Sequence, residues 1–232
     1  MPKFVPKTKR ELQELISDES VYLGDIDTSN ITDMSKLFFE DESGTEIHRL
    51  DFSGISSWDV SKVTDMSHMF EHCYVFNENI SSWDVSSVKN MERMFDECNF
   101  FAQDISSWDV SGCENMSGMF SGCYAFNQPL NSWNVSKVRD MIGMFHSCYY
   151  FNQPLDNWDV SSVEFMSFMF DTALSFNADI SGWNVGRFTS VRSMFCCAKS
   201  FKQDISGWKL VDERKKELHK GRNRYKYYDR NE

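Results

Sequence analysis

Two histidines four residues apart, His68 and His72, enclose Glu71 and are followed by Cys73. On a helix this spacing sets both imidazoles on one face, where they can share a zinc ion. A second cluster, Glu40, Asp41, Glu42, Glu46 and His48, offers the general acids and bases a hydrolase uses. Cys196 and Cys197 are adjacent thiols. The sequence has no phosphate loop, nucleophile elbow, zinc-protease signature or paired C-x-x-C.

The surrounding pattern weakens each of these readings. The seven tryptophans, Trp58, Trp83, Trp108, Trp133, Trp158, Trp183 and Trp208, follow one another at intervals of 25 residues. On that period the place of His68 is taken by Arg93, Gly118 and Gly143, and that of His72 by Glu97, Gly122 and Ser147. These are variable, solvated positions, so incidental histidines are expected. Cys196 also falls at a variable position. Adjacent cysteines are poorly placed for a chelate or an easy disulfide, and filling of core or surface is expected of them. The acidic cluster has no specific spacing. No catalytic residue, metal or cofactor is therefore expected, and the chain reads as non-enzymatic.

With Trp83 as the phase marker, Val85, Val88, Met91, Met94, Phe95, Cys98, Phe101 and Ile105 recur in step. One row is Phe76, Phe101, Phe126, Phe151, Phe176 and Phe201; another is Cys73, Cys98, Cys123 and Cys148, continued by Ala173 and Ala198. A fixed period with an in-phase apolar pattern marks stacked repeats that share one core. Met91, Met94, Phe95 and Cys98 stand at i, i+3, i+4 and i+7, which predicts a short helix capped by Ser86, Ser87 or Asn90. Residues 104–109 predict a short strand paired in parallel with its neighbours. Residues 85–90 read as a tight turn or a second minimal strand. At about 4.8 Å per coil the strand ladder would run on the order of 30 Å.

The run V-x-x-V-x-x-M-x-x-M-F-x-x-C-x-x-F-N-Q-x-I-x-x-W-D-V, carried by residues 110–135 with Cys113 in the second valine place, resembles the BspA-type leucine-rich repeat. That repeat is typical of bacterial surface proteins and mycoplasma-type lipoproteins. The resemblance covers about residues 22–208. It implies an α/β repeat: a leucine-rich-repeat-like right-handed solenoid of about seven 25-residue coils, each a short parallel strand plus a short helix. It also implies adhesion or protein binding.

Residues 1–21 are expected to form an N-terminal helical cap. Thr8-Lys9-Arg10-Glu11 has the form of a capping box, with a helix over about residues 9–17. The repeat solenoid spans 22–208, with a degenerate first coil at 22–38, a loop at 39–49 and regular coils at 50–208. The loop is a surplus insertion or a functional one. Residues 209–232 form a C-terminal cap and tail, in which nine Lys/Arg face five Asp/Glu. If the tail docks partners, deleting 221–232 abolishes binding and leaves the melt unchanged.

The formal net charge of −11 argues against nucleic acid and anionic membrane as main partners. No apolar run reaches the ~20 residues of a membrane span. The N-terminus lacks a secretory h-region, which points to the cytoplasm, whereas the family resemblance points to the cell surface. A monomer is expected. Stacked cysteines lie about one coil spacing apart, too far for a disulfide, and free thiols suit a reducing compartment.

The tryptophan row admits two arrangements. The chain bends between Trp and the Ile105-type position and buries both, with the indole N–H on a backbone carbonyl. Otherwise the row lies on a face as a binding ridge. Asp59, Asp84, Asp109, Asn134, Asp159 and Asn184 are expected to bond backbone N–H groups of the serine-rich turn. Asn77, Asn127, Asn152 and Asn177 resemble the asparagine ladder of leucine-rich repeats, whose work is structural. The function expected is a non-enzymatic protein-interaction or adhesion scaffold, binding an unknown protein partner through variable surface positions. The alternative is a carbohydrate-binding module that uses the tryptophan row on a glycan.

Overall fold

The structure, a computed structural model, describes residues 2–39 and 49–218. Among the described residues, regular secondary structure is limited to helix α1 at Lys9–Ile16, helix α2 at Asp212–Glu217, and single 3₁₀ turns at Leu23–Asp25 and Ile55–Ser57. The repeats between them are built of turns. Parallel pairing shrinks to one-residue bridges that run Asp33, Asp65, Asn90, Asn115, Asp140, Phe165, Ser190. The expected α/β leucine-rich-repeat-like solenoid, with a strand and a helix in each coil, is thereby overturned.

The reason is in the backbone. Arg93 and Glu97, inside the predicted helix, have φ of 50° and 60°. A right-handed helix needs negative φ at every residue. The same two places are left-handed in neighbouring coils, at His68 and His72, Gly118 and Gly122, Gly143 and Ser147, Phe168 and Thr172. The amide hydrogens consequently alternate. Those of Met91, Arg93, Phe95 and Glu97 donate to the carbonyls of Asn115, Ser117, Met119 and Ser121 in the following coil, at 2.7–3.0 Å. Those of Met94 and Cys98 close turns onto Met91 and Phe95. Two consecutive turns place apolar residues at i, i+3, i+4 and i+7, the spacing of a helix face. The predicted strand is also a turn: the Ser106 N–H donates to Asp104 Oδ1 at 2.9 Å and the Trp108 N–H to the Ile105 carbonyl at 3.1 Å.

Rings fill the interior. Phe70, Phe95, Phe120, Phe145, Phe170 and Phe195 form a column with centroids 5.6–5.8 Å apart. Phe76, Phe101, Phe126, Phe151, Phe176 and Phe201 form a second, spaced 5.8–6.2 Å. Within a coil the two columns meet at 3.8–4.2 Å. The seven tryptophans are 2–4% exposed. Each indole N–H donates to a carbonyl of the preceding coil, Trp83 to Ile55, Trp108 to Ile80, Trp133 to Ile105, Trp158 to Leu130, Trp183 to Leu155 and Trp208 to Ile180, at 2.9–3.2 Å. Trp58 does the same to Leu23 at 2.9 Å. The bend at each Ile or Leu lets both side chains enter the core.

Both ends are covered. Thr8 Oγ1 accepts the Glu11 N–H at 3.2 Å, while the Glu11 carboxylate accepts the Lys7 N–H at 2.6 Å, one residue earlier than a standard capping box. Leu12 and Ile16 of α1 are buried. At the other end the Glu217 carbonyl of α2 accepts the Ser193 N–H at 2.9 Å, and Leu210 and Leu218 are buried. Glu40, Asp41, Glu42, Glu46, His48 and the tail beyond Leu218 lie outside the described residues. Among the described residues no helix is long and apolar enough to cross a membrane.

Candidate functional site

Most rows singled out by the period are structural. Cys98, Cys123 and Cys148 are buried, and their Sγ atoms donate to the carbonyls of Phe70, Phe95 and Phe120 at 3.0, 3.0 and 2.9 Å. Burial pushes these thiols well above the ordinary range, and Cys73 up to about 12. They are free, unreactive core groups. Asp59, Asp84, Asp109, Asn134 and Asp159 each accept the N–H of the serine two residues on, at 3.0–3.2 Å. In the asparagine row, Oδ1 of Asn77, Asn127, Asn152 and Asn177 accepts an N–H of the following coil at 2.7–3.0 Å.

The two histidines do not share a helix face. His68 Nδ1 pairs with Glu71, while the ring of His72 lies 6.0 Å from that of Tyr74.

The variable residues gather on the face built by the left-handed places. Between them runs a column that skips through the sequence by 25: Glu71, Asp96, Ser121, His146, Asp171 and Cys196. Where Arg93 and Phe168 project, Gly118 and Gly143 project nothing. The gap is a groove of about 570 Å³ lined by Arg93, Asp96, Ser121, Asp140, His146 and Asp171, among others. Arg93 Nη1 bridges Glu71 and Asp96 at 3.2 Å each. Two residues beyond the second left-handed place an aromatic ridge begins, with Tyr74, Phe100, Tyr124, Tyr149 and Tyr150. Phe100 and Tyr150 are 63% and 65% exposed, and Tyr124 stacks on Tyr149 at 4.7 Å.

The carboxylates fall into two groups. Asp59, Asp109 and Asp159 are held below the usual range by the hydroxyl and N–H of the following serine. Asp96, Asp140, Asp171 and Glu97 are pushed up, mainly by burial, with the Glu71 charge adding at Asp96 and the Asp96 charge at Glu97. Between the unfolded carboxyl value near ~4 and the raised folded values, the native state binds more protons than the unfolded chain. Stability therefore falls as pH rises through that window. The serine-held aspartates act oppositely: their contribution is lost as pH falls below ~4. Thermal melts should peak on the acid side of neutrality. Asp96→Asn should raise the melt at neutral pH and flatten the decline; an unchanged pH profile would refute the assignment.

Neither the groove column nor the ridge was singled out from the sequence. The signal was there in Gly118, Gly122 and Gly143, glycines at recurring places with positive φ. Reading the period through polar places, and not only apolar ones, finds the column.

Stacked turn-built coils with a buried aromatic core define a repeat protein. Residues 10–129 and 129–219 match the family described as "Mycoplasma protein of unknown function, DUF285", and the chain belongs to that family. The match bears out the mycoplasma-type repeat and does not carry the BspA-type name. No curated protein and no solved structure matches the chain.

Proposed function

We propose that the chain is a non-enzymatic protein-binding module whose contact surface is the groove together with the aromatic ridge. The observation that carries this reading is the division of residues between inside and outside. The recurrent apolar places point inward apart from Phe188, which is 72% exposed, and the face with the left-handed places keeps large exposed aromatics beside a carboxylate-lined depression. Aromatic anchors flanked by polar groups are the usual makeup of a protein interface. The acidic lining suits a partner presenting Lys or Arg. The resemblance to BspA-type repeats, which implies adhesion or protein binding, agrees. The tryptophan column offers no glycan ridge, because every indole is buried with its N–H committed. Ser121, His146 and Asp171 share a column, but no hydrogen bond joins the Ser121 hydroxyl to the His146 imidazole among the described residues.

Gly143→Phe tests the reading. The equivalent place one coil on holds Phe168 at φ 61°, and a Cβ at Gly143 meets only His146 Cβ, at 3.7 Å. The backbone accepts the ring at a cost of about 1–2 kcal/mol, and the ring fills the groove. Partner recovery from source-cell lysate, followed by cross-linking, should drop at least tenfold, with the melt lowered by only about 2–8 °C. Unaltered recovery with Gly143→Phe and with Tyr124→Ala/Tyr149→Ala would overturn the proposal.

A further inference from the structure

We infer that Asp171, Cys196 and Cys197, with water completing the shell, form a binding site for a thiophilic divalent cation such as zinc. The ligand atoms of Asp171, Cys196 and Cys197 all lie within 4.8 Å of one another. The two Sγ atoms are 3.7 Å apart. A tetrahedral zinc with Zn–S of about 2.3 Å sets its sulfurs about 3.8 Å apart. Adjacent side chains ordinarily diverge. Here the left-handed φ of 57° at Cys197 turns the chain so that both thiols converge.

The column brings these groups together. His146, Asp171 and Cys196 occupy one place in three consecutive coils. His146 Nε2 stands 4.0 Å from Asp171 Oδ2, outside the set of mutually close ligand atoms and placed to pair with the carboxylate. The Thr172 hydroxyl donates to Asp171 Oδ1 at 3.0 Å, which orients the carboxylate and leaves Oδ2 toward the histidine.

Charge gives a second, independent reason. Elsewhere in the column each buried carboxylate has its cation: Arg93 serves both Glu71 and Asp96. Asp171 is just as buried, at 6% exposure, yet Phe168 holds the place of Arg93, and the nearest cationic group is the His146 imidazole, 4.0 Å away and charged only when protonated. A buried carboxylate is stabilised by a nearby positive charge or by taking up a proton. Two thiols on its open side make that charge a soft metal ion more readily than a side chain. On binding, the cation displaces one proton from each thiol to solvent. Two thiolates, one carboxylate and a water then surround it.

Cadmium is the spectroscopic probe, because its thiolate complexes absorb in the ultraviolet. The reduced full-length chain should saturate at one cadmium with the absorbance of two thiolates, and zinc should displace it. Cys196→Ser/Cys197→Ser should abolish the band, although the five other cysteines remain. Asp171→Asn should weaken binding at least tenfold while keeping the band. No band in the reduced wild-type chain, or a full band in the double-serine variant, would overturn the site. So would a disulfide joining Cys196 to Cys197 in a chain that takes up no cadmium after reduction. The wild-type titration decides without any variant having to fold.

Discussion

Phe145→Ala should destabilise the protein by about 3–5 kcal/mol, read as a shift in the urea midpoint at unchanged slope. The ring is fully buried. It stacks on Phe120 at 5.8 Å and Phe170 at 5.6 Å, and lies against Phe151 of its own coil at 4.1 Å. Its removal leaves a cavity in three coils at once, and the columns on either side cannot collapse into it without losing register with the rest. Backbone amides, indoles and asparagines hydrogen-bond across each junction, and the stacked rings supply the apolar part of the coupling between repeats. Phe195→Ala should cost less, because Phe195 is in the last coil and stacks in its own column only on Phe170, at 5.8 Å. Equal losses at the two positions would show that coupling between coils is not carried by the ring column.

Arg49→Ala should release the N-terminal cap, at a cost on the order of 3 kcal/mol. Arg49 is 5% exposed. Its guanidinium donates to four backbone carbonyls: Nε to Asp51 at 2.6 Å, Nη1 to Ile16 at 3.2 Å and Asp18 at 3.3 Å, and Nη2 to Val21 at 2.6 Å. The Ile16 carbonyl is an end group of α1 with no partner inside the helix. One side chain thus fastens α1, the segment after it and the start of the regular coils. Removing it strands several buried acceptors. Arg49→Lys should not rescue, since an ammonium on a flexible stem cannot match the fixed fork. Hydrogen exchange along α1 should accelerate in both variants while the central coils stay protected. Unchanged exchange would show that α1 is held by Leu12 and Ile16 alone.

Arg49 also marks a limit of sequence reading. The composition of residues 39–49 predicts a solvated loop, and its last residue is nevertheless buried. Nothing in the local sequence announces that four carbonyls converge on it. The cysteine and aromatic rows were legible, because a side chain repeated every 25 residues and surrounded by its own kind has to lie in a shared interior. The face with the groove was not legible in the same way. Its residues vary, and variation hides a column that only stacking assembles.

The sequence by itself determined the period, the places that face inward, and the residues that meet their counterparts one coil away, because apolar burial acts on residue type and spacing alone. The tertiary structure decided what the backbone does between those places. A helix and a pair of consecutive turns present the same apolar spacing, and they differ in whether an amide hydrogen bonds within its coil or across to the next. That choice depends on the neighbouring coil being present. It sets positive φ at residues as ordinary as Arg93 and Glu97, and at Cys197 it brings two thiols together beside a carboxylate from the coil before.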